Sequence, residues 1–113
     1  MKLSAVEREI LRPLSKVHIL HHASEAPIRG NWMLDELRGH GYNVSPGTLY
    51  PMLRRLCTLG WLKSAESASG RLRQRTVHYE LTRVRRQALA EAQARLRELQ
   101  REVFAENRPP PRE

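Results

Sequence analysis

Residues 45–62 read Ser-Pro-Gly-Thr-Leu-Tyr-Pro-Met-Leu-Arg-Arg-Leu-Cys-Thr-Leu-Gly-Trp-Leu, a helix start, an amphipathic body and a glycine stop in immediate succession. No other stretch constrains the fold as tightly. Ser45 suits the N-cap and Pro46 the first helical position, and the N–H groups of Gly47 and Thr48 are expected to point outward at an approaching anion, phosphate above all. Leu49, Leu53 and Leu56 follow at i, i+4 and i+7, which predicts one face packed inward with Thr48, Tyr50, Arg54, Arg55 and Thr58 around the other sides. A buried stripe backed by hydroxyls and guanidiniums suits entry into a DNA major groove.

The flanking segments fit that helix into a larger unit. Ser4-Ala5-Val6-Glu7 is a capping box, after which Val6, Ile10, Leu14, Val17 and Leu20 recur at helical spacing. Pro13 should kink this first helix or divide it into a short leading turn and a longer segment ending near Ala23. Residues 24–30 read as a loop, and a second helix follows to His40 with Met33, Leu34 and Leu37 inward and Gly41 as its stop. Tyr42, Asn43 and Val44 leave only a tight connection to Ser45, so the two helices form a helix-turn-helix. Residues 61–66 and 72–81 have strand character around a turn at 67–70, which predicts a β-hairpin wing. Arg71, Arg73 and Arg75 fall at period two on that wing, placing three guanidiniums on one side of a strand. Such a row would track a phosphate backbone or enter a minor groove; the plainer alternative is an edge strand protected by its charges.

From Thr82 to about Asn107 the chain is rich in Ala, Glu, Gln, Arg and Leu without Gly or Pro, as in a long helix. Leu89, Ala92, Leu96, Leu99 and Val103 make a short heptad seam. That seam either folds back onto the first helix or pairs with another chain, and the small size of the remainder favours a homodimer. The expected organisation is a mainly α fold with a small β-hairpin: a winged helix-turn-helix over 1–81, a dimerisation helix over 82–107 and a disordered tail over 108–113.

Charge points the same way. Ten basic residues lie between Arg38 and Arg86 (Arg38, Arg54, Arg55, Lys63, Arg71, Arg73, Arg75, Arg83, Arg85, Arg86) against Glu66 and Glu80, which is the whole net charge of +8. Its concentration on the helix and hairpin favours double-stranded DNA as partner over a bland basic surface, and no amphipathic anchor accompanies it to suggest a membrane. No apolar run is long enough to span a bilayer, and the first eight residues lack a signal core, so the cytoplasm is the expected compartment.

With these residues in view, the chain resembles the PadR family of winged-helix transcriptional regulators. The likeness rests on Gly30, Met33 and Leu37, on Ser45-Pro46-Gly47-Thr48-Leu49-Tyr50-Pro51 with Leu53, Arg55 and Leu56, on Gly60-Trp61-Leu62, and on Tyr79-Glu80-Leu81-Thr82. It implies a homodimer joined through the C-terminal helix, a two-fold-related operator, repression of transcription, and Tyr50 and Pro51 lying at the DNA. In a chain this short, any effector would bind in the dimer core.

The remaining candidates are weaker. Thr48 and Arg54 are the best base readers, with Ser45, Tyr50 and Arg55 on phosphate. Trp32 could stack on a small aromatic effector, although packing is the commoner role of a helical Trp. His18, His21 and His22 include an i, i+4 pair able to chelate, but without a nearby Cys or Asp the set is incomplete, so no metal or other cofactor is expected. Cys57, the single cysteine, reads as an apolar filler rather than a redox sensor. Trp61 reads as core. No Ser-His-Asp set, phosphate-cradling Gly loop or H-E-x-x-H motif is present, so an enzyme is not expected. The alternative from another class is a basic helical dimer that recruits an acidic protein without specific DNA recognition.

Overall fold

The computed structural model describes residues 4–69 and 74–105, and for 67–69 and 74–75 the backbone alone. Two members of the wing row, Arg71 and Arg73, and the expected tail lie outside the described residues, and so does the side chain of Arg75. Ser4 caps the first helical segment as its box predicts: the Glu7 N–H donates to Ser4 Oγ at 3.1 Å. The break expected at Pro13 takes the form of a π-helical turn over Glu7–Leu11 that runs into α1 (Arg12–Glu25), with Pro13 in its first turn. A proline has no N–H to give to the turn before it, and a wider turn is one way for a helix to absorb the loss.

α2 (Gly30–Gly39) and α3 (Pro46–Thr58) end in the same way. In α2 the Tyr42 N–H donates to the Leu37 carbonyl and the Gly41 N–H to that of Arg38; in α3 the Trp61 N–H donates to Leu56 and the Gly60 N–H to Cys57. These are paired Schellman closures, and they place Gly41 at φ 92° and Gly60 at φ 78°, where a Cβ is strained. The first of these closures fixes the start of the three-residue connection that makes the helix-turn-helix, and the second sets the exit of α3 toward the wing. Arg38 fixes the connection further, since its Nε donates to the Val44 carbonyl at 2.9 Å.

The wing is larger than a hairpin. β2 (Leu62–Ser69) and β3 (Gln74–Leu81) pair antiparallel from Leu62 opposite Leu81 to Ser69 opposite Gln74, so strand occupies residues 67–69 that the sequence assigned to a turn. A third strand, β1 (Ile28–Arg29), pairs with the far edge of β3, Ile28 opposite Tyr79, giving the order β1-β3-β2. Residues 28–29 were expected in a loop. Two residues are too few to show alternation, and only the edge of β3 makes them a strand.

One core joins these layers. Ile19, Leu20 and Ala23 of α1 meet Met33, Leu34 and Leu37 of α2, the Leu49, Met52, Leu53 and Leu56 stripe of α3, and Leu62 and Leu81 of the sheet. Trp61 and Cys57 are half-buried against it rather than inside it, and burial pushes the Cys57 thiol above its ordinary range, which suits an inert filler. After a 3-10 turn over Arg83–Arg85, α4 (Arg86–Val103) packs its first half on α1. The fold-back weighed for its seam holds for the first half alone: Leu89 is buried and Ala92 and Leu96 half-buried, whereas Leu99, Val103 and the following Phe104 are 54%, 44% and 75% exposed. Among the described residues no helix is long and apolar enough to cross a membrane.

Leu53 is fully buried on the central helix. Truncation in Leu53→Ala should cost about 2–5 kcal/mol in urea unfolding, against less than about 0.5 kcal/mol for Thr58→Ala on the outer side of the same helix.

Candidate nucleic-acid interface

α3 turns its apolar stripe into the core and its first turn outward. Ser45 does occupy the N-cap, with extended backbone, but its hydroxyl caps no backbone N–H. Instead Ser45 Oγ donates to Thr48 Oγ1 at 3.3 Å, and the Thr48 N–H is turned back onto the Ser45 carbonyl at 3.0 Å. This corrects the expectation that the Thr48 N–H would be offered to an anion; the two linked hydroxyls are what this end of the helix presents.

Around them the fold builds a shallow groove lined by Arg12 and Lys16 of α1 together with Gly47, Thr48, Pro51, Met52 and Arg55 of α3. Three cations thus line one groove along α3, with Arg55 in the last turn of that helix. Arg12 and Lys16 were invisible as site residues in the sequence, because they sit in a part of the chain whose charges cancel and only the α1–α3 packing brings them to Thr48. Seeing that Lys16 lies one turn beyond Arg12 on a helix was the one available signal.

On the other side of α3, Tyr50 meets the sheet. A second groove is lined by Arg29, Gly30, Asn31, Tyr50, Thr76, Val77 and Tyr79. Its floor is a close approach: a Cβ on Gly30 would stand 2.6 Å from Tyr50 Cε1 and 2.9 Å from Cζ. A side chain at Gly30 would therefore have to displace the outer end of the Tyr50 ring from its place against the helix start. Burial, with smaller contributions from Cys57 and Tyr50, raises the Tyr79 phenol above its usual range, while Arg54 opposes the shift, which places Arg54 within electrostatic reach of the groove.

The other basic residues divide. Arg38 is spent on the connection before α3, and Lys63 pairs with Glu80 at 3.1 Å across the hairpin. Arg83, Arg85 and Arg86 are exposed at the junction of wing and α4 and line neither groove. Trp32 lies away from α3, 46% exposed, edge-on to His22 with ring centres 5.2 Å apart.

A family model described as the transcriptional regulator PadR-like family matches residues 19–91, from the middle of α1 into α4. The chain belongs to the PadR-like family. The transcriptional regulator Rv3488 of Mycobacterium tuberculosis is 46% identical over 98 residues, covering 86% of this chain and 89% of that protein. Among solved structures, a PadR family transcriptional regulator from Eggerthella lenta matches with a TM-score of 0.67 and 28% identity over 86% of this chain and 88% of its own. A PadR-like transcriptional regulator from Bacillus cereus shares the fold at a TM-score of 0.71 and 22% identity, covering 89% of this chain and 94% of that one. The winged-helix reading and the assignment to a regulator rather than an enzyme both hold.

In this PadR-like chain two residues that carried the resemblance, Gly30 and Tyr50, are thus physically one feature. Gly30→Ala should destabilise the wild-type background but not a Tyr50→Ala background. A double-mutant cycle read by urea unfolding is expected to give a coupling of about 0.5–3 kcal/mol, and additive effects would show that the ring does not depend on the glycine.

Proposed function

We propose that the protein is a homodimeric DNA-binding repressor that sets the N-terminal half of α3 in the major groove of each half of a two-fold-related operator. The groove along α3 supports this reading, because Arg12, Lys16 and Arg55 line it together with Thr48, whose hydroxyl is linked to that of Ser45. Phosphate contacts from Arg12, Lys16, Ser45, Tyr50 and Arg55 would fix the register, with Pro51 packed at the DNA and Gly47 allowing close approach. Thr48 and Arg54 would read base edges, and Arg71, Arg73 and Arg75 of the wing would hold the flanking backbone.

Self-association is supported by α4. Leu99 and Val103 extend the seam of Leu89, Ala92 and Leu96 beyond the reach of α1, and Leu14, Val17, Gln93 and Leu96 line a largely apolar cavity of about 330 Å³ at the α1–α4 seam. A second chain would cover both. Trp32, beside an open cavity that also includes His22, Pro27, Arg29 and His78, is where a small aromatic effector would stack.

Fluorescence anisotropy against the promoter of the protein's own transcription unit, repeated over a salt series, tests the DNA reading. Lys16→Ala and Arg55→Ala should each flatten the salt dependence by about 0.9 of a slope unit and weaken all sequences alike. Thr48→Ala or Arg54→Ala should cost about 1–3 kcal/mol on the preferred site and relax the preference. Equal affinity for competitor DNA would favour the protein-interaction module instead. For the dimer, Leu99→Glu with Val103→Glu should yield a monomer in sedimentation velocity; a wild-type monomer would remove the two-fold arrangement.

A further inference from the structure

The incomplete histidine set of the sequence is completed by the fold. His18 and His22 lie one turn apart on α1, and His40, the C-cap residue of α2, is brought against them. One coordinating nitrogen from each of the three lies within 4.8 Å of the others. The rings of His18 and His40 are 4.9 Å apart between centres. Glu36, one turn before His40, flanks the three on the side of His22 and His40: its Oε1 is 3.5 Å from His22 Nε2 and 3.1 Å from His40 Nε2.

We propose that His18, His22 and His40, with Glu36 as fourth ligand, form a binding site for a divalent transition metal of the Zn(II), Co(II) or Ni(II) class. Three imidazoles and one carboxylate are the donor set such ions prefer, and too poor in oxygen for Ca(II) or Mg(II). Tetrahedral ligation at about 2.0–2.1 Å puts ligand atoms roughly 3.4 Å apart, so the three nitrogens need to close by no more than about 1.4 Å, within the range of side-chain rotation. In the absence of metal the carboxylate already bridges two of the imidazoles and so holds them near that geometry. The surroundings suit a ligand shell: Trp32 stands edge-on to His22 and Tyr42 edge-on to His18, each at 5.2 Å between ring centres. The bound ion would tie α1 to the end of α2, directly before the connection to α3.

A neighbouring set, His21, His22 and Glu25, competes for the same histidine. It lies on a single helical turn, with Glu25 Oε1 3.2 Å from His21 Nε2 and 3.7 Å from His22 Nδ1. A metal held there would not bridge two helices, so His21 serves as the control.

The test titrates Co(II) into the full-length, tag-free chain after treatment with chelator. A visible absorption band of low-symmetry Co(II) should saturate at one ion per chain and be displaced by Zn(II). His18→Asn, His22→Asn and His40→Asn should each weaken Co(II) binding at least tenfold, Glu36→Gln should weaken it about tenfold, and His21→Gln should leave it unchanged. Zn(II) at a hundredfold excess over its dissociation constant should raise the melting temperature by roughly 10 °C in the wild type and not in His40→Asn, whose circular dichroism should match the wild type. Absence of the band, undiminished binding in His40→Asn, or a loss in His21→Gln equal to that in His40→Asn would overturn the proposal. All of this is read on free protein, so it stands or falls separately from DNA binding.

Discussion

Leu49, Leu53 and Leu56 anchor α3 by one face, and what the protein can offer a partner follows from the faces this leaves outside. Each of the three is fully or almost fully buried, against Met33 and Leu37 of α2 and Ile19 of α1 among others. Burying a leucine is worth about 1.5–3 kcal/mol, so together they match a large share of the roughly 5–15 kcal/mol by which a domain is stable. The orientation of Thr48, Arg54 and Arg55 is therefore not adjustable at small cost. Those three side chains lie on the solvent side, where substitutions seldom move stability by more than about 0.5 kcal/mol. Folding and binding can accordingly be separated by mutation on this helix.

Much of this was legible because α-helices advertise themselves over ten or more residues. The stripes of α2 and α3, the glycine stops at Gly41 and Gly60, the Ser4 cap and the broken first helix were all readable from spacing and from the chemistry of single residues. What escaped was decided by partners distant in sequence. β1 exists because β3 has an edge to fill. The Ser45 hydroxyl left its expected acceptor role because Thr48 offered another partner. His40 and Glu36 lie eighteen and fourteen residues beyond His22, at no spacing that a helix or strand pattern would flag.

Charge shows the same difference between line and surface. The segment from Arg38 to Arg86 holds the entire net charge, yet Arg38 is hydrogen-bonded to backbone and Lys63 is paired with Glu80. Meanwhile two of the three cations in the groove along α3 come from α1, within residues 1–37, whose acids and bases balance. An exposed ion pair such as Lys63–Glu80 contributes little to stability, about 0–1 kcal/mol, but it does neutralise a cation that a linear count would assign to a polyanion. The field a duplex meets is set by which guanidiniums and ammoniums remain unneutralised on one face, and helix packing, not local density along the chain, determines that.

α1 is the element that these surfaces share. Arg12 and Lys16 line the groove beside α3, Leu14 and Val17 line the cavity at α4, and His18 and His22 meet the end of α2. Because 3.6 residues make a turn, positions 12 and 16, 14 and 17, and 18 and 22 point in different directions from one rigid rod. Because the close-packed core joins α1 to α3, a shift of α1 against α4 would carry Arg12, Lys16 and Thr48 together rather than past one another. The π turn before Pro13 leaves the segment ahead of α1 as the part that can yield, with no buried residue of its own to hold it. A ligand at the α1–α4 cavity or at the histidine cluster can bias the placement of this helix only by the difference in its affinity for two positions of it, and the shared core ties any such bias to α1 and α3 as one body.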